Sequence, residues 1–415
     1  MIRGEFDGIL NRMQSLGGKW GPRLRAEDFL YFLSFGLFLT TSILSTSFYY
    51  SWFMGKSYMW LQIGCVALLA AYELRCGGLK AQNWVALGIT VALFAIAFWV
   101  SAGNLHRIVA LMFLYIYCGR RIHLAKILGF TLNLSIFAVL AVVLGGYLGI
   151  IDNVVTAKGG RIREYLGFRY ALYLPGILLN MTALWIWLRK DKVSLPGALI
   201  WALANWFVYY KTDSRISFAL AVALIVAALA MRFFPRAVAK LHGLFGVMAL
   251  AFVIFGAFSL IMTAVYDDTI PWMRDLNRML ESRLSLGKRS LVANGFTLLG
   301  QKIEWVGNGL DAFGNSSEKV YTYVDCLYVK ILQRYGLLFS LTTVVLATWA
   351  MLRLWKRREY HLVLILASVA AHCVLDDLSF ALHYNTFWLA LGTVLLNPGA
   401  LTWPGSGKVL LPKQK

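Results

Sequence analysis

The chain has 415 residues, of which 59% are hydrophobic and 14% charged, with 40 Lys and Arg against 20 Asp and Glu. A soluble domain carries about 25% charged residues, so this composition excludes a water-soluble globular protein. The net charge of +20 needs no nucleic-acid partner either, because cytoplasmic loops of membrane proteins accumulate Lys and Arg.

Residues 1–27 are polar. Ile2, Phe6, Ile9, Met13 and Leu16 recur at helical spacing, which predicts an amphipathic helix on the inner membrane surface and no cleaved signal peptide. Apolar stretches then follow at roughly 28–49, 58–75, 83–102, 107–118, 127–150, 168–188, 194–210, 215–233, 243–266, 321–352, 359–377 and 381–397. A bilayer core of ~30 Å needs about 20 apolar residues per helix. The expectation is therefore an all-α polytopic membrane protein with about twelve transmembrane helices, one integral domain over 1–415. Basic clusters such as Arg120/Arg121, Arg189/Lys190 and Arg353/Lys356 fall on alternate turns, which puts both termini and the tail 398–415 in the cytoplasm. Five cysteines lie in or beside spans without paired spacing, so no disulfide framework or zinc site is expected.

Three outward segments break this charge rule. One is the loop 151–168 with its extension to Arg169, carrying Lys158, Arg161 and Arg163. A second is Lys211 to Arg215. The third is the long outward-facing loop 267–320, with Arg274, Arg278, Arg283, Lys288, Arg289 and Lys302 among Trp272, Phe296 and Trp305. Arginine presents a fixed fork of donors that matches phosphate oxygens, so convergent outward arginines predict an anionic ligand. Gly159-Gly160 and Gly167 permit tight turns beside it. Pro271 suits a first helical turn, and a surface helix is expected over 271–284, with Trp272, Leu276, Met279 and Leu280 on its apolar side. Trp272 and Trp305 suit either interface anchors or sugar platforms. Asp325 stands just where apolar residues begin; burial raises the pKa of such a carboxylate and suits it to proton transfer. Asp376 and Asp377 end another stretch in the same way, near His372 and His383.

The motifs resemble those of Wzy-type polysaccharide polymerases, the capsular or exopolysaccharide branch of the O-antigen polymerase and ligase superfamily. The likeness runs over about 155–395, through GGRIREYLGFRY, YKTDSRISF, LNRMLESRLSLGKRSLVANGFTLLGQKIEW, VDCLYVKILQRYGLL and HYNTFWLALG in that order. It implies a GT-C-like plasma-membrane glycosyltransferase that joins oligosaccharide repeats carried on undecaprenyl pyrophosphate, on the outer face, without metal or other cofactor. Under that resemblance Arg161, Arg163, Arg169, Arg215, Arg278, Arg283 and Lys288 hold pyrophosphate. Asp325 and Glu281 are the candidate catalytic carboxylates, and Tyr328, Trp272 and Trp305 contact sugar. The partners are the lipid-linked oligosaccharide and the membrane; joint work with a flippase and a chain-length regulator stays open. Asp325-Cys326 stands where the ligase branch has His-Asn, and Glu281-Ser282 replaces Ser-Gly before Arg283. The competing readings are a ligase of the same superfamily and a flippase or transporter of an anionic glycolipid. A transporter needs charged or broken segments near mid-membrane, whereas most ionisable residues here lie at the outer edge.

Overall fold

The computed structural model describes residues 28–101, 107–158 and 161–401. The expected amphipathic helix, the Gly159-Gly160 turn and most of the tail lie outside the described residues. Helix dominates. In chain order the helices are α1 Asp28–Leu44, α2 Lys56–Arg75, α3 Trp84–Trp99, α4 Arg107–Cys118 and α5 Leu124–Tyr147, followed by α6 Tyr173–Arg189, α7 Leu195–Thr212 and α8 Arg215–Phe233. A short helix α9, Pro235–Lys240, leads into α10 His242–Met248 and α11 Ala251–Val265. The long polar loop carries α12 Pro271–Met279 and α13 Arg283–Asn294, and the described chain closes with α14 Leu327–Lys356, α15 Tyr360–His372 and α16 Leu389–Leu396. Among the described residues the strands are β1 Val155–Lys158 and β2 Arg161–Glu164, an antiparallel pair in the register Val155 to Glu164 and Lys158 to Arg161.

Each apolar stretch of the sequence contains a helix. Four of these helices, α2, α5, α8 and α14, are long and apolar enough to cross a membrane; α10 and α11, bent by 45° at their junction, make a fifth if they count as one span. Large apolar side chains such as Trp60, Val85, Phe137, Ile200 and Val345 are exposed on helix exteriors. Water tolerates so much exposed apolar surface poorly, and hydrocarbon tolerates it well. Helix ends follow their sequence signals. Asn83 accepts a hydrogen bond from the Ala86 amide at the start of α3, and Ser194 does the same for Gly197 before α7, which satisfies orphan donors of the first turn.

The helix expected over 271–284 differs in two respects. It ends at Met279, and Glu281 and Ser282 adopt left-handed backbone (φ 49° and 68°) before α13 begins. Asn277 causes the turn: its Oδ1 accepts from the Ser285 amide (3.1 Å) and its carbonyl from the Ser282 amide (2.8 Å). The buried side of α12 is Met273 and Asn277, while Trp272 and Met279 are 56% and 79% exposed. Of the expected apolar face, Trp272 and Met279 point away from the protein as interfacial anchors would, while Leu276 and Leu280 are half-buried and Leu280 packs on the core.

The loop is stitched into α14. That helix breaks at Gly336 (φ 89°, ψ 173°). Its interrupted backbone pairs instead with the loop, through Gln301 N to Arg334 O (2.9 Å), Leu337 N to Thr297 O (3.0 Å) and Leu338 N to Leu298 O (3.2 Å). A Cβ at Gly336 would lie 2.3 Å from the Gly300 amide nitrogen. Steric clash and left-handed backbone act together there. Gly336→Ala is expected to destabilise the protein by at least about 2–3 kcal/mol, seen as earlier thermal unfolding and faster proteolysis within 295–302; an unchanged melt and cleavage pattern would refute this account.

Candidate functional site

Three segments meet around Arg283: the start of α13, the extended strand-like run 321–326 ahead of α14, and the turn after α15. The Arg283 side chain is mostly buried. Its Nε donates to the Leu375 carbonyl (3.1 Å), its Nη1 to the Glu281 carbonyl (2.8 Å), and its Nη2 lies 3.6 Å from Asp325 Oδ2. The Glu281 carboxylate completes the ring at 3.3 Å from Nη1. The left-handed turn at Glu281–Ser282 is what aims Arg283 back at these partners.

Asp325 precedes α14, whose first residue is Leu327; the helix therefore starts later than the apolar pattern suggests. Tyr321 and Asp325 point the same way, and Tyr321 donates its hydroxyl to Asp325 (2.8 Å). Burial pushes the Asp325 carboxyl up to about 6, with Arg283 opposing the shift and Asp377 adding to it. Asp376 is pushed up to about 7, first by burial and then by Asp377. Its Oδ1 accepts from the Leu378 amide (2.7 Å), and Oδ2 lies 3.8 Å from His372 Nε2. Asp377 pairs with Lys330 and accepts from the Tyr323 hydroxyl (2.9 Å). Three carboxylates, one arginine and one lysine thus share one end of the bundle. Both charge states of Asp325 lie within reach near neutral pH, as a proton-transfer group requires. Among the described residues no three His, Cys, Asp or Glu side chains gather to hold a metal ion.

The other sequence candidates divide. Arg163 lies within electrostatic range of Tyr170, whose phenol burial, Asp325 and Asp376 all push up and Arg163 opposes. Its Nε is buried without a partner. Arg161 and Arg215 converge, but on a carboxylate, each lying 3.2 Å from Asp213. Arg278 is exposed and meets only Asp275 (3.5 Å), and Lys288 caps the Ala264 carbonyl. Arg169 is buried and holds the Ser45 and Leu310 carbonyls (2.5 and 3.3 Å), so its donors to the outside are few. Trp272 stands on the exposed side of α12, remote in role from this cluster.

One expected sugar contact, Tyr328, is corrected, and the other, Trp305, has one ring face taken. Tyr328 is 3% exposed and donates to the Ala370 carbonyl (2.8 Å); its ring fills the space beside Gly256, so it is core. Trp305 donates to Ser290 Oγ (3.1 Å), and the Arg334 guanidinium lies over its ring (4.7 Å), which leaves little of that face for a sugar. Lys330, Tyr321 and Tyr323 were not singled out by sequence reasoning. The signal was present for Lys330, since a lysine within an apolar span is a functional candidate by default.

No protein-family model, curated protein or solved structure matches the chain.

The Arg283–Asp325 pairing makes a direct prediction. A cation beside a carboxylate lowers its pKa by roughly one to three units, so Arg283→Ala should move the Asp325 titration from about 6 upward by roughly one to three pH units. Infrared difference spectra of the carboxyl band, assigned with Asp325→Asn, read this directly; an unmoved band would show that the two groups are uncoupled.

Proposed function

We propose that this protein is a polytopic plasma-membrane glycosyltransferase of the polysaccharide-polymerase type. In this reading all twelve apolar helical stretches cross the bilayer in a GT-C-like arrangement, with both termini cytoplasmic and the Arg283 end outside. The distribution of charge supports that orientation: Arg120, Lys190, Arg232 and Arg353 lie at the helix ends opposite Arg283 and Asp325, as inward basic loops do.

The observation that carries the proposal is a carboxyl raised to about 6 in contact with a buried arginine. Glycosyl transfer from a lipid pyrophosphate needs one group of each kind. The acceptor sugar hydroxyl gives its proton to the Asp325 carboxylate, and its oxygen forms a bond to the anomeric carbon of the chain carried on undecaprenyl pyrophosphate. The bond from that carbon to the pyrophosphate oxygen breaks, and the electron pair leaves with the pyrophosphate. Arg283 and Arg163 stabilise the growing negative charge, the type of interaction that gives the largest catalytic effects. Glu281 holds Arg283 in place. No nucleotide sugar enters, and the order of motifs in the sequence supports the lipid-linked oligosaccharide as substrate.

The test uses the full chain in nanodiscs with undecaprenyl-pyrophosphate oligosaccharide, scored by lengthening of the lipid-linked product. Asp325→Asn and Arg283→Ala should each slow lengthening by about 10²-fold or more. The base must be ionised, so the wild-type rate should fall as pH drops through about 6. Wild-type rates in both variants would sink the proposal, as would transbilayer movement of the lipid without lengthening in sealed vesicles.

A further inference from the structure

Beside Asp377 lies a cavity of about 170 Å³ that the proposed reaction does not use. It sits at the same end of the bundle as Asp325, bounded by the end of α1 and the starts of α4, α6 and α14, and its lining includes Arg169, Lys330, Arg334, Tyr323, Asp377 and His383. Arg169, Lys330 and Arg334 are each more than nine-tenths buried. Lys330 is matched by Asp377. The two arginines form no ion pair among the described residues: Arg169 is held by the Ser45 and Leu310 carbonyls, and Arg334 by the Ile303 carbonyl (2.6 Å) and the Trp305 ring. Among the described residues the Nε of each guanidinium is buried with no hydrogen-bond partner, and so are both ring nitrogens of His383.

Burying a guanidinium without a counter-charge is costly, and native structures relieve it with an anion or a full set of acceptors. Three cations against one carboxylate leave this cavity with an excess of two positive charges. A neutral imidazole adds one donor and one acceptor, which suits the hydroxyls that flank an acidic group. At ~30 Å³ per water the space equals roughly five or six waters, enough for one acidic group and part of its carrier and too small for an oligosaccharide.

We propose that this cavity, which adjoins the Arg283 cluster through Asp377 and Lys330, is an oxyanion-recognition site that takes a carboxylate or phosphate group. Resting on the polymerase reading, the ligand is an acidic sugar of the repeat unit docked beside the reacting centre, and the site selects for repeats that carry such a charge. The alternative source of the same chemistry is the phosphate of the lipid carrier.

Purified full-length protein in nanodiscs is melted at constant ionic strength with inorganic phosphate, inorganic pyrophosphate, glucuronate or glucose. Oxyanions should raise the unfolding temperature and glucose should not. Stabilisation by glucuronate assigns the site to an acidic sugar, while stabilisation by phosphate or pyrophosphate alone keeps the oxyanion site and assigns it to the carrier. Arg334→Gln, with Arg169→Gln as the second variant should the first not fold, is expected to weaken binding of glucuronate or phosphate in the cavity about tenfold or more, and Arg283→Ala, which removes only the pyrophosphate contact of the reacting centre, should leave that binding. The proposal is overturned if no oxyanion stabilises the wild type, if glucose acts as well as glucuronate, or if binding is lost in Arg283→Ala and kept in Arg334→Gln. The readout is binding without turnover, so a failed lengthening assay and a failed cavity give different results.

Discussion

One guanidinium ties together segments that are distant in the chain. Arg283 reaches the carbonyl of Leu375, the carboxylate of Asp325 and the turn at Glu281, and so joins the long loop, the start of α14 and the turn after α15. Taking an arginine out of water is affordable only when its donors are matched, and here backbone carbonyls and carboxylates match them. The same contacts hold the Asp325 carboxyl near neutrality in pKa by opposing its burial. Shape and chemistry at this end of the molecule therefore depend on a single charge.

The sequence made the helices legible because ~20-residue apolar runs and alternating basic loops are strong, local signals. Asp325 was legible as a charge at the edge of an apolar run, and Arg283 as one of the basic residues gathered in the long polar loop. What composition could not reveal was pairing. Arg161 and Arg215 read as free outward cations, yet they share Asp213, a contact set by how the β1–β2 hairpin meets the end of α7. Tyr328 and Lys330 lie two residues apart on one helix; the first faces α11 and the second faces Asp377, and only helix rotation decides which is core. The apolar pattern of α12 reads as a surface helix, and Trp272 and Met279 are exposed as that reading expects; what the pattern could not show is the break at Glu281–Ser282.

Charge is also divided unevenly between the two faces of the carboxylate turn. On the loop side Asp325 meets Arg283, which also acts on Asp376. On the bundle side Asp377 is spent on Lys330, and Arg169 and Arg334 stand without an acidic partner. Adjacent aspartates thus serve different neighbourhoods, and the turn acts as a partition between them.

The stitching of 297–301 into the break at Gly336 bears on biogenesis. Its partners are only some 40 residues apart in sequence, so closing that loop costs little chain entropy, and the join can form once α14 has left the insertion machinery. The Leu375 and Cys373 carbonyls that receive Arg283 and the Leu327 amide arrive later, with the hairpin of α14 and α15. Synthesis therefore builds the long polar loop on its helix first and supplies the acidic turn last, so a chain stopped before residue 373 would have the loop's scaffold without the carbonyls that hold Arg283 and the start of α14.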